Sequence, residues 1–113
     1  MVVNDLITIL RAKCIAYPEG LDREVQYVFC SDSFKILEEK ASQDFVWVQT
    51  DVDKLSIDLA HKKQLSGIII PYNLHLSDEL VEYAEDIGIS IISTGYSNYK
   101  ICTKIFEAFK ERT

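Results

Sequence analysis

Gly67-Ile68-Ile69-Ile70-Pro71 is the stretch that decides the fold. Three consecutive β-branched residues between a glycine and a proline have no polar face, so the segment reads as a short strand buried on both sides. Strands of that kind belong to parallel sheets whose two faces are covered by helices, and this one is expected at the centre. Upstream, Val52, Leu55, Ser56, Leu59 and Ala60 recur at the spacing of an amphipathic helix that ends near Leu65, with Thr50 or Asp51 as its cap. Downstream, Ser77-Asp78-Glu79 opens a second helix with a capping serine and first-turn acids. Its stripe is Leu80, Val81, Ala84 and Ile87, and Gly88 stops it.

The same alternation extends to both ends of the chain. Ile89-Ser90-Ile91-Ile92 is a strand, Ser93-Thr94-Gly95 a turn, and Ser97 caps a final helix with Ile101, Cys102, Ile105, Ala108 and Phe109 inward, running out at Glu111-Arg112-Thr113. Before the isoleucines, Phe45-Val46-Trp47-Val48-Gln49 is a strand, and Ser33 to Lys40 a helix with Phe34, Leu37 and Ala41 inward. Val25 to Cys30 is a strand rich in β-branched and aromatic residues, and it stops at Ser31-Asp32-Ser33. Lys13 to Tyr17 is a short strand ended by Pro18-Glu19-Gly20, preceded by a helix capped by Asn4 and striped by Leu6, Ile7 and Leu10. The order α-β-β-α-β-α-β-α-β-α predicts an α/β fold: a single layered domain over residues 1–113, with a mostly parallel sheet and helices on its faces.

Length and composition agree with one hydrophobic core, since 113 residues with 48% apolar and 27% charged side chains are the proportions of an ordinary globular domain. The net charge of −6, with lysines and arginines scattered except at Lys62-Lys63, disfavours nucleic acid as a partner and weighs lightly against a bound nucleotide. Cys14, Cys30 and Cys102 form no C-x-x-C pair and read as buried free thiols of a reducing compartment. With no basic leader and no apolar run approaching ~20 residues, the expectation is a cytoplasmic protein without a membrane partner.

Chemistry in an open parallel sheet belongs beyond the carboxyl ends of the strands. Here those ends are Ser31-Asp32-Ser33, Gln49-Thr50-Asp51, Pro71-Tyr72-Asn73 and Ser93-Thr94-Gly95, a line of hydroxyls, amides and acids. Helix capping accounts for many such residues, and a ligand-binding rim is the functional alternative. Phosphate loops and dinucleotide glycine fingerprints are missing from the sequence, as is a G-x-S-x-G elbow. His61 and His75 stand apart on a helix surface and in a loop, so no catalytic residue, metal or cofactor is expected. Asp22-Arg23, in the loop entering the second strand, either orients an anion or braces the loop.

Gly20-Leu21-Asp22-Arg23-Glu24-Val25, Val46-Trp47-Val48-Gln49-Thr50, Gly67-Ile68-Ile69-Ile70 and Ile91-Ile92-Ser93-Thr94 together resemble the DRTGG domain, in that order and at similar spacing over nearly the whole chain. Members are similar to the N-terminal domain of HPr kinase/phosphorylase, and some occur between CBS domains of regulated pyrophosphatases or within phosphotransacetylases. The resemblance implies an HPr kinase N-terminal-domain-like fold and a non-catalytic regulatory or dimerising module, since the kinase activity of full-length relatives belongs to a separate phosphate-loop domain. Asp22, Arg23, Gln49, Thr50, Ser93 and Thr94 match family positions, while Glu24-Val25 replaces the Thr-Gly of the eponymous motif.

Two functions are therefore expected. The first is a regulatory or ligand-sensing module for an adenine nucleotide or other small metabolite, bound through Asp22, Arg23, Ser31, Asp32, Gln49, Thr50, Ser93 and Thr94. The second is a homodimerisation or protein-interaction domain with no small-molecule ligand, anchored by tyrosines such as Tyr96 and Tyr99.

Overall fold

In the computed structural model, which describes residues 1–112, the isoleucine run is the middle strand of five. The chain runs α1 (Val3–Ile9), β1 (Lys13–Ala16), a 3-10 turn (Pro18–Gly20), β2 (Tyr27–Cys30) and α2 (Phe34–Lys40). It continues through β3 (Phe45–Val48), α3 (Lys54–Lys62), β4 (Gly67–Ile70), α4 (Asp78–Ile87), β5 (Ile91–Ser93) and α5 (Asn98–Glu111). The sheet order is β1-β5-β4-β3-β2; β2 to β5 are mutually parallel, and β1 is antiparallel to β5.

Alternation along each strand sorts the core into two layers. Trp47, Ile68, Ile70 and Ile91 face Leu37, Ile57, Ala60 and Ala84, so α2, α3 and α4 cover one side of the sheet. Val46, Val48, Ile69 and Ile92 face Leu6, Leu10, Ile101 and Ile105, so α1 and α5 cover the other. Each isoleucine of β4 is at most 2% exposed, and each such burial contributes about 1.5–3 kcal/mol. The indole of Trp47 is fully buried, donates its N–H to the Ser31 carbonyl at 2.7 Å and meets Phe34 edge-on at 5.6 Å. Among the described residues no helix is long and apolar enough to cross a membrane.

Several local expectations are corrected. Helix α1 begins at Val3 rather than after an Asn4 cap, and the Asp5 carboxylate accepts from the Val2 amide at 2.8 Å. Helix α3 is capped by Asp53 rather than Thr50 or Asp51, with the Asp53 side chain accepting from the Ser56 amide. The buried face of α3 is Ser56, Ile57 and Ala60 rather than the stripe through Val52, Leu55 and Leu59, and Leu55 is left 65% exposed. Val25 is buried but precedes β2, its amide bound to the Met1 carbonyl. The three thiols are free, but none is buried: Cys14 and Cys102 are half-buried, and Cys30 is exposed at the end of an edge strand. Thr113 lies outside the described residues.

Arg23 sits at the amino edge of the sheet, where β3 and β4 begin. One guanidinium nitrogen donates to the Leu65 carbonyl at 2.9 Å; the other reaches the Gln64 carbonyl at 3.0 Å and the Asp44 carboxylate at 3.2 Å. Asp44 and Gln64 are both left-handed, at φ 70° and 56°, and the Asp44 amide donates to the Gln64 carbonyl. The planar fork therefore ties together two strained turns, a geometry that a lysine ammonium does not reproduce.

Two consequences are measurable by urea unfolding. Arg23→Ala is expected to lower stability by about 1–2 kcal/mol, with Arg23→Lys recovering only part of it. Gly67→Ala is expected to cost about 1–3 kcal/mol, because the added Cβ would stand 2.9 Å from the Ser90 carbonyl oxygen inside the β4–β5 pairing. Wild-type midpoints for both alanine variants would refute this account of the amino edge.

Candidate functional site

Six of the eight residues singled out in the sequence lie at the carboxyl edge, in two groups separated by β4. Ser31, Asp32, Gln49 and Thr50 form the group at the ends of β2 and β3, and most of their bonding is internal. The Ser31 hydroxyl accepts from the Ser33 amide at 3.1 Å, the Thr50 hydroxyl donates to the Asp32 carboxylate at 3.4 Å, and the side-chain Oε1 of buried Gln49 accepts from the Asp51 amide at 3.5 Å. Thr94 is 1% exposed; its hydroxyl donates to the Leu10 carbonyl at 2.6 Å and accepts from the Tyr96 amide at 3.2 Å. It fastens α1 and the last turn to the sheet. Asp22 and Arg23 lie at the opposite edge, where Asp22 is exposed and Arg23 is occupied with the turns of Asp44 and Gln64.

Arg23 lines a smaller hollow of 330 Å³ at that opposite edge, and Ser93 lines a cleft of 480 Å³ between the sheet and the segment leading into α4. Its polar lining is Lys13, Asn73, His75, Asp78 and Ser93, and its apolar lining is Ile15, Leu74, Leu76 and Val81. Polar side chains make up the larger part of this lining, over a smaller apolar floor, so the cleft is more polar than most small-molecule sites. Lys13 reaches this edge because β1 runs antiparallel: its first residue pairs with Ser93, the last residue of β5. Among the described residues Lys13, His75 and Asp78 enter no ion pair.

The upper wall of the cleft is held in a costly conformation. After Pro71, both Tyr72 and Asn73 are left-handed, at φ 59° and 52°. Asparagine tolerates that region, whereas tyrosine incurs roughly 1–2 kcal/mol there. Two backbone bonds hold the pair in place, from Tyr72 N–H to the Tyr96 carbonyl at 3.0 Å and from Asn73 N–H to the Thr94 carbonyl at 2.9 Å. The Asn73 amide lies against Gly95, where a Cβ would stand 3.0 Å from its nitrogen.

Sequence reasoning missed Lys13 and left His75 as a solvent-exposed loop residue. His75 is indeed exposed, yet it lines the cleft. The signal for Lys13 was a lone cation opening an otherwise apolar strand, which becomes informative only once the direction of β1 is known.

A second hollow, of 660 Å³, lies along the free edge of β2 beneath α5. It is lined by Tyr27, Cys30, Phe45, Cys102, Phe106 and Phe109, with Lys40 as its one charged residue. Partial desolvation of its sulfur beside α5, and then the adjoining Cys102 thiol, push the Cys30 thiol up to about 11, and partial desolvation likewise raises Cys14. Thiolates that scarce at neutral pH are poor nucleophiles. Alkylation of Cys30 by iodoacetamide should therefore be slow at pH 7.5 and accelerate as the pH rises toward 11, read by peptide mass spectrometry; rapid labelling at pH 7.5 would contradict that environment.

No family model matches this sequence, and no curated protein matches it. Among solved structures, it is similar to the CBS and DRTGG domains of the regulatory region of Clostridium perfringens pyrophosphatase, determined as a complex with an activator, diadenosine tetraphosphate. The TM-score is 0.74 at 17% identity, over 92% of this chain and 45% of that one, so the chain spans less than half of its structural neighbour. What such a likeness carries is the architecture: the chain has a DRTGG-like α/β fold.

Proposed function

We propose that this domain is a non-catalytic regulatory or ligand-sensing module that binds a small metabolite, an adenine nucleotide foremost, in the cleft at the carboxyl edge of β4 and β5. The observation that carries this reading is the convergence of Lys13, Asn73, His75 and Ser93 on an apolar floor at the edge where open α/β sheets take their ligands. The Cys14 and Cys30 thiols, raised chiefly by desolvation, favour recognition over nucleophilic chemistry. The structural neighbour supports an adenine nucleotide, since that regulatory region was determined in complex with diadenosine tetraphosphate. A cytoplasmic location belongs to the same proposal.

A dimerisation or protein-interaction role is the second reading. It is favoured by the free edge of β2, where Tyr27 and Phe106 are 57% and 64% exposed beside the apolar hollow. Tyr99, 82% exposed on α5, adds an aromatic, whereas Tyr96 is half-buried with the Lys100 ammonium 4.1 Å from its ring centre.

Thermal unfolding in the presence of AMP, ADP, ATP, diadenosine tetraphosphate and a metabolite panel separates the two. A ligand at 100 times its dissociation constant adds about 2.7 kcal/mol, a clear rise in melting temperature, and Asn73→Ala is expected to abolish that rise. A flat panel, together with a concentration-dependent dimer by light scattering, would favour the second reading.

A further inference from the structure

The charges lining the carboxyl-edge cleft are few and unevenly placed, and this says more about a ligand than the cavity alone. Its basic groups are Lys13 on the sheet side and His75 on the loop. Asp78 stands on the helix side, in the first turn of α4, followed by Glu79. The α4 N-terminus is partly occupied: the Ser77 hydroxyl accepts from the Leu80 amide at 3.3 Å, and Asp78 and Glu79 bring negative charge to the positive end of the helix dipole. An anion is therefore repelled from the helix end and drawn to the strand end, where Lys13 and Ser93 are paired in register across β1 and β5.

Building on the nucleotide reading above, we propose that the cleft takes ligands bearing a single phosphate monoester, with the phosphate at Lys13 and Ser93 and the hydroxyls of the ligand's body turned toward Asp78. A phosphate monoester carries about −1.5 to −2 charge at neutral pH, which one ammonium with hydroxyl and amide donors can partly meet. Further phosphates bring charge that no other lysine or arginine of the cleft balances, and they extend toward the Asp78 carboxylate. Lysine acts as a point charge suited to phosphate, whereas the cleft holds no guanidinium for the bidentate pairing that a carboxylate favours. The apolar floor of Ile15, Leu76 and Val81 takes the uncharged part, and a ribose diol can donate to Asp78.

Calorimetry with AMP, adenosine and ATP in the presence of EDTA tests the assignment on the wild type and on Lys13→Ala, Lys13→Arg and Asp78→Asn, each checked for native circular dichroism. Lys13 and Asp78 are exposed, so their replacement is not expected to disturb the core. AMP should bind about tenfold more tightly than either adenosine or ATP. Lys13→Ala should weaken AMP about tenfold while leaving adenosine unchanged, Lys13→Arg should retain part of the AMP affinity, and Asp78→Asn should narrow the gap between AMP and ATP. ATP binding as tightly as AMP, or Lys13→Ala weakening AMP and adenosine equally, overturns the phosphate assignment while the nucleotide reading stands. If none of the three binds the wild type, both the assignment and the nucleotide reading are overturned.

Discussion

The structure depends on one ribbon of three isoleucines that has to be covered on both sides. Ile68 and Ile70 need the layer of α2, α3 and α4, and Ile69 needs the layer of α1 and α5. A strand with no polar face is unstable at a sheet edge or against a single helical layer, so it fixes the three-layer arrangement and places itself at the middle. Close packing then limits what may stand beside it: Gly67 opens β4 because the Ser90 carbonyl lies where a side chain would begin. The crossovers through α3 and α4 return the chain in the same direction each time. All the loops that follow a parallel strand consequently gather at one edge.

The two edges of the sheet divide the work. At the amino edge, left-handed Asp44 and Gln64 are held by the guanidinium of Arg23, and the Ser66 hydroxyl bonds the Glu24 carbonyl, so the loop before β2 clamps the starts of β3 and β4. At the carboxyl edge, left-handed Tyr72 and Asn73 are held only by backbone bonds to the last turn of the sheet, and their neighbours border an open cleft. Strain of this kind persists where the surroundings over-determine it. At the first edge a side chain supplies that constraint and is consumed by it; at the second the backbone does so and leaves the side chains of Asn73, His75 and Lys13 to line the cleft.

Fold class was legible in the sequence because hydrophobic period and caps are local signals. Ile68–Ile70, the stripe of α4 and the serines that cap α2, α4 and α5 all depend on neighbours within a few positions. What escaped was phase and direction. Leu55 and Ile57 are both apolar, and only packing against the sheet shows that Ile57 turns inward while Leu55 is left exposed. Lys13 was unreadable as a rim residue because its place depends on β1 running against β5, a fact of strand order that no local pattern carries. The rim residues were named from the carboxyl-end rule, which located six of them correctly in space. It did not distinguish a hydroxyl occupied by capping or latching, such as those of Ser31 and Thr94, from one that opens on a cavity, such as that of Ser93.

Global charge and local charge pull in opposite directions in this molecule. A net charge of −6 argues against anionic ligands when it is treated as a sum, yet at physiological ionic strength charges more than about 8 Å apart are largely screened. Acids on distant surfaces, such as Glu38 paired with Lys62 at 3.2 Å, thus contribute little to the field at Lys13. The groups near the cleft decide the sign, and these are Lys13, His75 and Asp78, with Glu79 beside Asp78 on the first turn of α4. In the proposed binding mode the far acids would act chiefly on the approach of a ligand, slowing encounter at low salt, whereas the bound state would be governed by the distance to Lys13 and to Asp78. On this proposal an acidic domain would hold an anion at one end of a cleft and refuse it at the other.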